Sequence, residues 1–229
     1  MGKAENQFRL LYHRWERRAQ SDEIAVVHPD GCRDLIVFSR PGQCGEIRFT
    51  SWDFRPRTVE LRAGTEMTGY RLRPGITLDP RVFESIILDF RQLEFWIECE
   101  VSGDHDVIEI IQALTQPQAT IESVSRQQGV ATRTLQRRFR NLSLPTPDYW
   151  RLLGRARRAI HALPCRAPLA DIACEYGYSD QAHMTREFVR WFGLTPTQLR
   201  HSKVRTHDIC QPGLGNWTDE GHLELGSLH

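Results

Sequence analysis

The chain has 229 residues, 40% of them hydrophobic and 26% charged, ordinary proportions for a globular protein that buries one large core or two smaller ones. It has no run of about 18 apolar residues, and the opening MGKAENQFRLLYHRW lacks the apolar centre of a signal peptide, so it reads as soluble with the cytoplasm as the expected compartment and no membrane partner. The net charge of +1 conceals a division: residues 1–117 carry 15 Lys+Arg against 19 Asp+Glu, residues 118–205 carry 15 against 6, and residues 206–229 carry four acids and no Lys or Arg.

In chain order, the first part alternates. EIAVVHP, RDLIVFS, EIRFTSW, TVELRA and MTGYRLR are short β-branched or aromatic runs. PDG at 29–31, RPGQCG at 40–45, FRPR at 54–57, AG at 63–64 and RPG at 73–75 supply turns between them. Strands at this spacing predict an antiparallel sandwich or barrel. The arginines of this part offer a candidate site for an anionic effector at Arg55, Arg57, Arg71 and Arg73, with Arg71 and Arg73 on one strand face by alternation. A solvated strand face would give the same pattern. After Pro80 the spacing turns helical, first in RVFESIILDFRQLEFWIECEV and then in DVIEIIQALTQ, where Val107, Ile110, Ile111 and Leu114 share one side.

Six cysteines (32, 44, 99, 165, 174 and 210) are scattered without a C-x-x-C pair, which predicts reduced, mostly buried thiols. No motif supports a redox role for Cys32 or Cys44. None of the nine histidines falls at ligand spacing from a cysteine pair, so neither a metal nor a cofactor is expected.

From Thr120 the chain reads as helix after helix. Thr120 is the expected N-cap of TIESVSRQQ, with Ser123 where a capping box would carry Glu. TRTLQRRFRNL turns Leu135 and Phe139 inward. TPDYWRLLGRARRAIHAL is longer, with Pro147 early in it, where its missing N–H costs little. LADIACEY, a GY turn and SDQAHMTREFVRWF follow, the last capped by Ser179 and anchored by Met184, Phe188 and Phe192. This order contains a repeat. SVSRQQGVATRTLQRRFRNLSLPTPDYWR aligns with DIACEYGYSDQAHMTREFVRWFGLTPTQLR when one residue is added to the second turn. Leu135 then matches Met184, Phe139 matches Phe188, Thr146-Pro147 matches Thr195-Pro196, and Arg151 matches Arg200. Each copy is helix, Gly-apolar turn, helix, the form of a helix-turn-helix.

These residues resemble the DNA-binding region of AraC/XylS-type transcription regulators, two helix-turn-helix subdomains joined by a long helix. PLADIACEYGYSDQAHMTREFVRWFGLTPTQLR follows the second-subdomain signature through Gly177, Tyr178, Gln181, His183, Phe188, Phe192-Gly193 and Thr195-Pro196. TIESVSRQQGVATRTLQRRF matches the first subdomain more loosely and departs at NLSLPTP, where the family has a Gly near position 144. HPDGCRDLIVF and YRLRPG resemble the small β-rich domain that precedes some of these modules. The resemblance implies an α+β chain: a sensory or dimerising β-rich domain over 1–103 and a double helix-turn-helix over 104–203; the acidic tail over 204–229, with Gly, Pro and acids in no period, is expected to lack order. The resemblance also implies double-stranded DNA and RNA polymerase as partners, a small-molecule effector of unassigned identity, a homodimer, and no enzymatic activity.

A compact module with nine excess positive charges, nearly all Arg, suits bidentate contacts to phosphate and guanine. In a helix-turn-helix the second helix enters the major groove. The base-reading candidates are Arg133, Gln136 and Arg137 in the first copy, and Gln181, Ala182, Thr185 and Arg186 in the second. Arg can pair guanine O6 and N7, Gln can pair adenine N6 and N7, and Ala182 and the Thr185 methyl can lie against a thymine methyl. Thr132, Arg151, Arg155, Ser179 and His183 are the phosphate candidates, His183 with a structural role as its plainer reading. The long basic helix sets the distance between the two readers. Two other readings compete: an enzyme or DNA-repair protein using the module as a DNA handle, which would need a reactive cysteine motif or metal cluster, and a protein-binding module, against which the charge division argues.

Overall fold

The computed structural model describes residues 11–40, 43–76, 78, 93, 95, 97, 105–165 and 167–217. Six strands come first among the described residues: β1 (Tyr12–Arg18), β2 (Glu23–Val27), β3 (Arg33–Arg40), β4 (Gln43–Phe49), β5 (Arg57–Leu61) and β6 (Glu66–Leu72). All pair antiparallel, in a four-stranded sheet of order β1-β6-β3-β4 and a two-stranded one of β2 and β5. Strands β2 to β6 coincide with the five alternating runs. Strand β1 is an addition to them. Its His13 and Trp15 are buried at alternate positions, but Arg14, Glu16, Arg17 and Arg18 dilute the pattern. Trp15 lies opposite Gly69 and covers it so closely that a Cβ there would overlap the indole.

Eight helices follow among the described residues: α1 (His105–Leu114), α2 (Ile121–Gln127), α3 (Thr132–Asn141), α4 (Pro147–Ala162), α5 (Leu169–Glu175), α6 (Gln181–Phe192), α7 (Pro196–Arg200) and α8 (Lys203–Ile209). The helix expected over 81–101 lies outside the described residues, apart from Leu93, Phe95 and Ile97, which are helical. Helix α1 joins the two halves. Its Val107, Ile110, Ile111 and Leu114 enter the helical core, while Ile108 packs with Leu35, Tyr70, Leu72 and Ile76 of the β unit. None of these helices is long and apolar enough to cross a membrane.

Helix α4 is the axis of the helical half. Trp150, Leu153, Ala156, Ala159 and Ile160 are fully buried along it, and Pro147 occupies its first turn as the sequence implies. Gly154 costs about 1 kcal/mol of helix propensity relative to Ala. It is kept by close packing: a Cβ there would stand 2.8 Å from the Thr115 methyl group just after α1. The start of α4 also meets the β unit. Trp52 sits edge-on to Trp150 at 5.3 Å between centroids, Phe54 packs on Tyr149, and the Tyr149 hydroxyl donates to the Asp53 carbonyl at 3.0 Å.

Two expectations are corrected. Residues 204–217 of the expected tail are packed: α8 runs to Ile209, and Ile209 and Leu214 are buried, while 218–229 lie outside the described residues. The packed segment's polar, Pro- and Gly-containing sequence conceals this because its partners are arginines distant in the chain. Nor are the four described thiols mostly buried. Cys32 is buried and Cys210 half-buried, but Cys165 and Cys174 are exposed, Cys174 because Ile172 and Ala173 take the inner side of α5. Cys44 and Cys99 contribute no described side chain.

Candidate nucleic-acid interface

The first helix-turn-helix begins with a closed cap. Thr120 Oγ1 accepts from the Ser123 amide at 3.0 Å, and Ser123 Oγ accepts from the Thr120 amide at 3.0 Å, so a serine completes the box that Glu would otherwise form. The chain reverses through Gly129, at φ +65°, and the Val130 amide returns to the Ser125 carbonyl at 3.0 Å. Only a residue without Cβ adopts that left-handed conformation cheaply. Helix α3 then buries Leu135 and Phe139. Arg133, Gln136 and Arg137, its expected base readers, are all exposed on the opposite side, with Thr132 half-buried at its start. Arg138 is drawn away from them to Asp106 of α1 at 3.0 Å. The glycine missing near 144 is compensated by Ser143, which itself takes φ +54°, while the Leu144 amide closes on the Phe139 carbonyl at 2.9 Å.

The second copy repeats this with sharper capping. Gly177 turns at φ +74°, and the Tyr178 amide donates to Ala173 O at 2.8 Å. The cap of α6 is Asp180, not Ser179 as the sequence suggested: Asp180 Oδ1 accepts from the His183 amide at 2.6 Å. That backbone donor holds the Asp180 carboxyl below the usual carboxylate range. Ser179 and His183 are occupied with each other. The Ser179 amide donates to His183 Nδ1 at 3.3 Å, its hydroxyl lies 3.1 Å from the same atom, and the imidazole stands edge-on to Tyr178. His183 therefore positions the turn, which removes its ring nitrogen Nδ1 from phosphate contact. Met184, Phe188, Trp191 and Phe192 are buried; Gln181, Ala182 and Arg186 are exposed, and Thr185 is half-buried with its hydroxyl on the Gln181 carbonyl at 2.9 Å. Truncating Phe139 or Phe188 to Ala would cost about 3–5 kcal/mol and loosen the helix that carries the exposed set.

The arginines of the long basic helix, α4, are mostly turned away from solvent. Arg155, a phosphate candidate, points into the second subdomain: Nη1 donates to Gly177 O at 2.9 Å, Nη2 lies 3.5 Å from Glu187, and the guanidinium covers the Tyr178 ring at 4.3 Å. Its side chain is only 13% exposed. Arg157 is buried outright and Arg158 half-buried. Arg151 keeps a partly open position, paired with Asp148 at 2.9 Å. Its repeat partner Arg200 has the opposite fate, donating to Leu163 O and Ala167 O.

The four arginines proposed for an effector do not form a free basic cluster. Arg71 lies 3.2 Å from Asp30 and 3.1 Å from Asp34, and Arg57 pairs with Asp53 at 2.7 Å. Burial works against the Arg71 charge, but Asp34 and Asp30 outweigh it and raise its pKa. An anion reaching Arg71 would have to displace two carboxylates. Arg55 is exposed and Arg73 half-buried.

A helix-turn-helix domain family matches residues 124–202. The HTH-type transcriptional regulator VirS of Mycobacterium tuberculosis is 40% identical over 86 residues, which are 36% of this chain and 24% of VirS. The regulatory protein SoxS of Escherichia coli is 34% identical over 82 residues, 35% of this chain and 77% of SoxS. Among solved structures, a transcriptional regulator of the AraC-type DNA-binding class from Chromobacterium violaceum is similar at a TM-score of 0.36 and 23% identity, over 46% of this chain and 88% of that one. The chain spans less than half the length of relatives such as VirS.

Proposed function

This chain belongs to the AraC/XylS-type family of helix-turn-helix transcription regulators, and from that premise we propose that it reads two adjacent major-groove segments of double-stranded DNA with α3 and α6. The observation that carries the reading is the matched exposure of the two helices. Arg133, Gln136 and Arg137 stand clear over buried Leu135 and Phe139, and Gln181, Ala182 and Arg186 stand clear over buried Met184 and Phe188. Helix α4 fixes their separation, which implies groove segments about 10 bp apart on one side of the duplex. Of the phosphate candidates, Ser179 is exposed with its hydroxyl turned to His183, and Thr132 and Arg151 keep part of their surface. The β unit packs against α1 and α4, which supports its acting on the DNA module.

Footprinting of selected genomic fragments tests this. Protection of two adjacent major-groove segments is expected. Arg137→Ala and Arg186→Ala should each relax preference at one position by about 1–3 kcal/mol. Arg151→Ala should instead weaken all sequences alike and lower the salt slope by about 0.9 for each phosphate it ceases to neutralise. Undiminished sequence preference in the Arg137→Ala/Arg186→Ala double variant would overturn the assignment of readers.

A further inference from the structure

The segment after α8 is gripped from two sides. Arg157, on the inner side of α4 and 2% exposed, spends its guanidinium on it: Nε donates to Leu214 O at 2.9 Å, Nη1 to Ile209 O at 2.9 Å, and Nη2 to Gln211 O at 2.7 Å and Asn216 Oδ1 at 2.9 Å. The β unit holds the same residues. Arg71 Nη1 donates to Pro212 O at 3.2 Å, the Leu214 amide donates to Asp30 O at 2.7 Å, and the Trp217 ring lies 4.2 Å from that of His13. Gly213 passes between the two grips so tightly that a Cβ would meet Asp30 O at 2.7 Å and Arg157 Nη2 at 3.0 Å. Asp30, Cys32, Asp34 and Arg71, which face this junction, come from the HPDGCRDLIVF and YRLRPG stretches that the DNA-reading site leaves unused.

We propose that residues 209–217 are an intramolecular strap that makes the β unit and the helical module one cooperative body and carries changes at Asp30 and Arg71 to α4. The physical reason is Arg157. Its described hydrogen bonds go to carbonyls and one amide oxygen of the strap, and a buried cation deprived of its acceptors costs several kcal/mol. Unseating the strap therefore cannot stay local; it opens the side of α4 that holds Arg157 and releases the Asp30 loop together. Since α4 sets the spacing of α3 and α6, the strap lies where an event in the β unit could alter that spacing.

Amide hydrogen exchange of the full chain tests this without DNA, so its outcome is independent of the proposed function. In Gly213→Val, exchange should rise roughly tenfold or more in 209–217, at Asp30–Cys32 and in α4 around Arg157, with α3 and α6 little changed. If that variant does not fold, Asn216→Ala replaces it. The Asn216 side chain bonds Arg157, Gly213 N, Cys210 O and Gln211 O, so faster exchange at Asp30–Cys32 would have to travel through the strap. A rise confined to 209–217 in the folded variant would overturn the proposal and leave an ordinary packed tail.

Discussion

Replacing Arg155 with Ala separates a folding role from a DNA-contact role for the same side chain. The substitution removes a charge-assisted hydrogen bond to Gly177 O, a guanidinium over Tyr178, and one partner of a Glu187 carboxylate that is itself only 12% exposed. Hydrogen bonds to charged groups contribute about 1.5–3 kcal/mol and a partly desolvated cation–π contact about 1 kcal/mol. These overlap, and Glu187 keeps the Trp191 indole N–H at 3.3 Å and Arg190 at 3.9 Å. The expected loss is therefore about 2–4 kcal/mol, equivalent to a fall in Tm of roughly 5–15 °C for a chain of this size. Denaturant unfolding should show a lower midpoint with an unchanged m-value. Because the guanidinium faces the turn between α5 and α6, the salt slope of DNA binding should stay the same. Stability within about 0.5 kcal/mol of the native chain, combined with a slope lower by about 0.9, would refute the reasoning and restore Arg155 as a phosphate contact.

Two further predictions rest on single observations. Ser143 holds φ +54° without being glycine, a conformation that costs an L-residue about 1–2 kcal/mol. After the larger unfolded-state entropy of glycine is deducted, Ser143→Gly should stabilise by about 0.5–1 kcal/mol, read as a rise in Tm; a fall would mean that the serine side chain supports the turn. His28 is pushed down from its ordinary 6.5 to about 4, by burial first and then by Arg157 and Arg205, with Asp30 opposing. A depressed pKa makes the neutral ring the stabilising form, so its contribution is complete above pH 6.5 and is lost as pH falls through about 4. At full extent that is about 3 kcal/mol. His28→Gln should unfold with a shallower loss of stability than the native chain over that range. Asp34 and Asp53, both raised chiefly by burial, titrate in the opposite sense and are common to the two proteins. Parallel pH profiles would remove His28 from the acid transition.

The helical repeat was legible because its cores are local. Leu135 and Phe139, like Met184 and Phe188, are four apart on one helix, and Gly129 and Gly177 mark turns that only glycine takes easily. The alternating runs likewise declared β2 to β6 within a few residues of chain. What the sequence could not assign was the destination of its arginines. Arg133, Arg151, Arg155, Arg157 and Arg71 are chemically alike, and helix or strand periodicity places each on a face without saying what lies opposite. The fold put Gly177 and Glu187 against Arg155, the 209–217 carbonyls around Arg157, and Asp30 with Asp34 beside Arg71. Those partners are 22 to 59 residues away for the two helical arginines, beyond the reach of any spacing rule. Local periodicity determined which helix faces stay exposed, whereas long-range packing decided which arginines remain in solvent, because a buried guanidinium is held by acceptors that only the folded chain brings together.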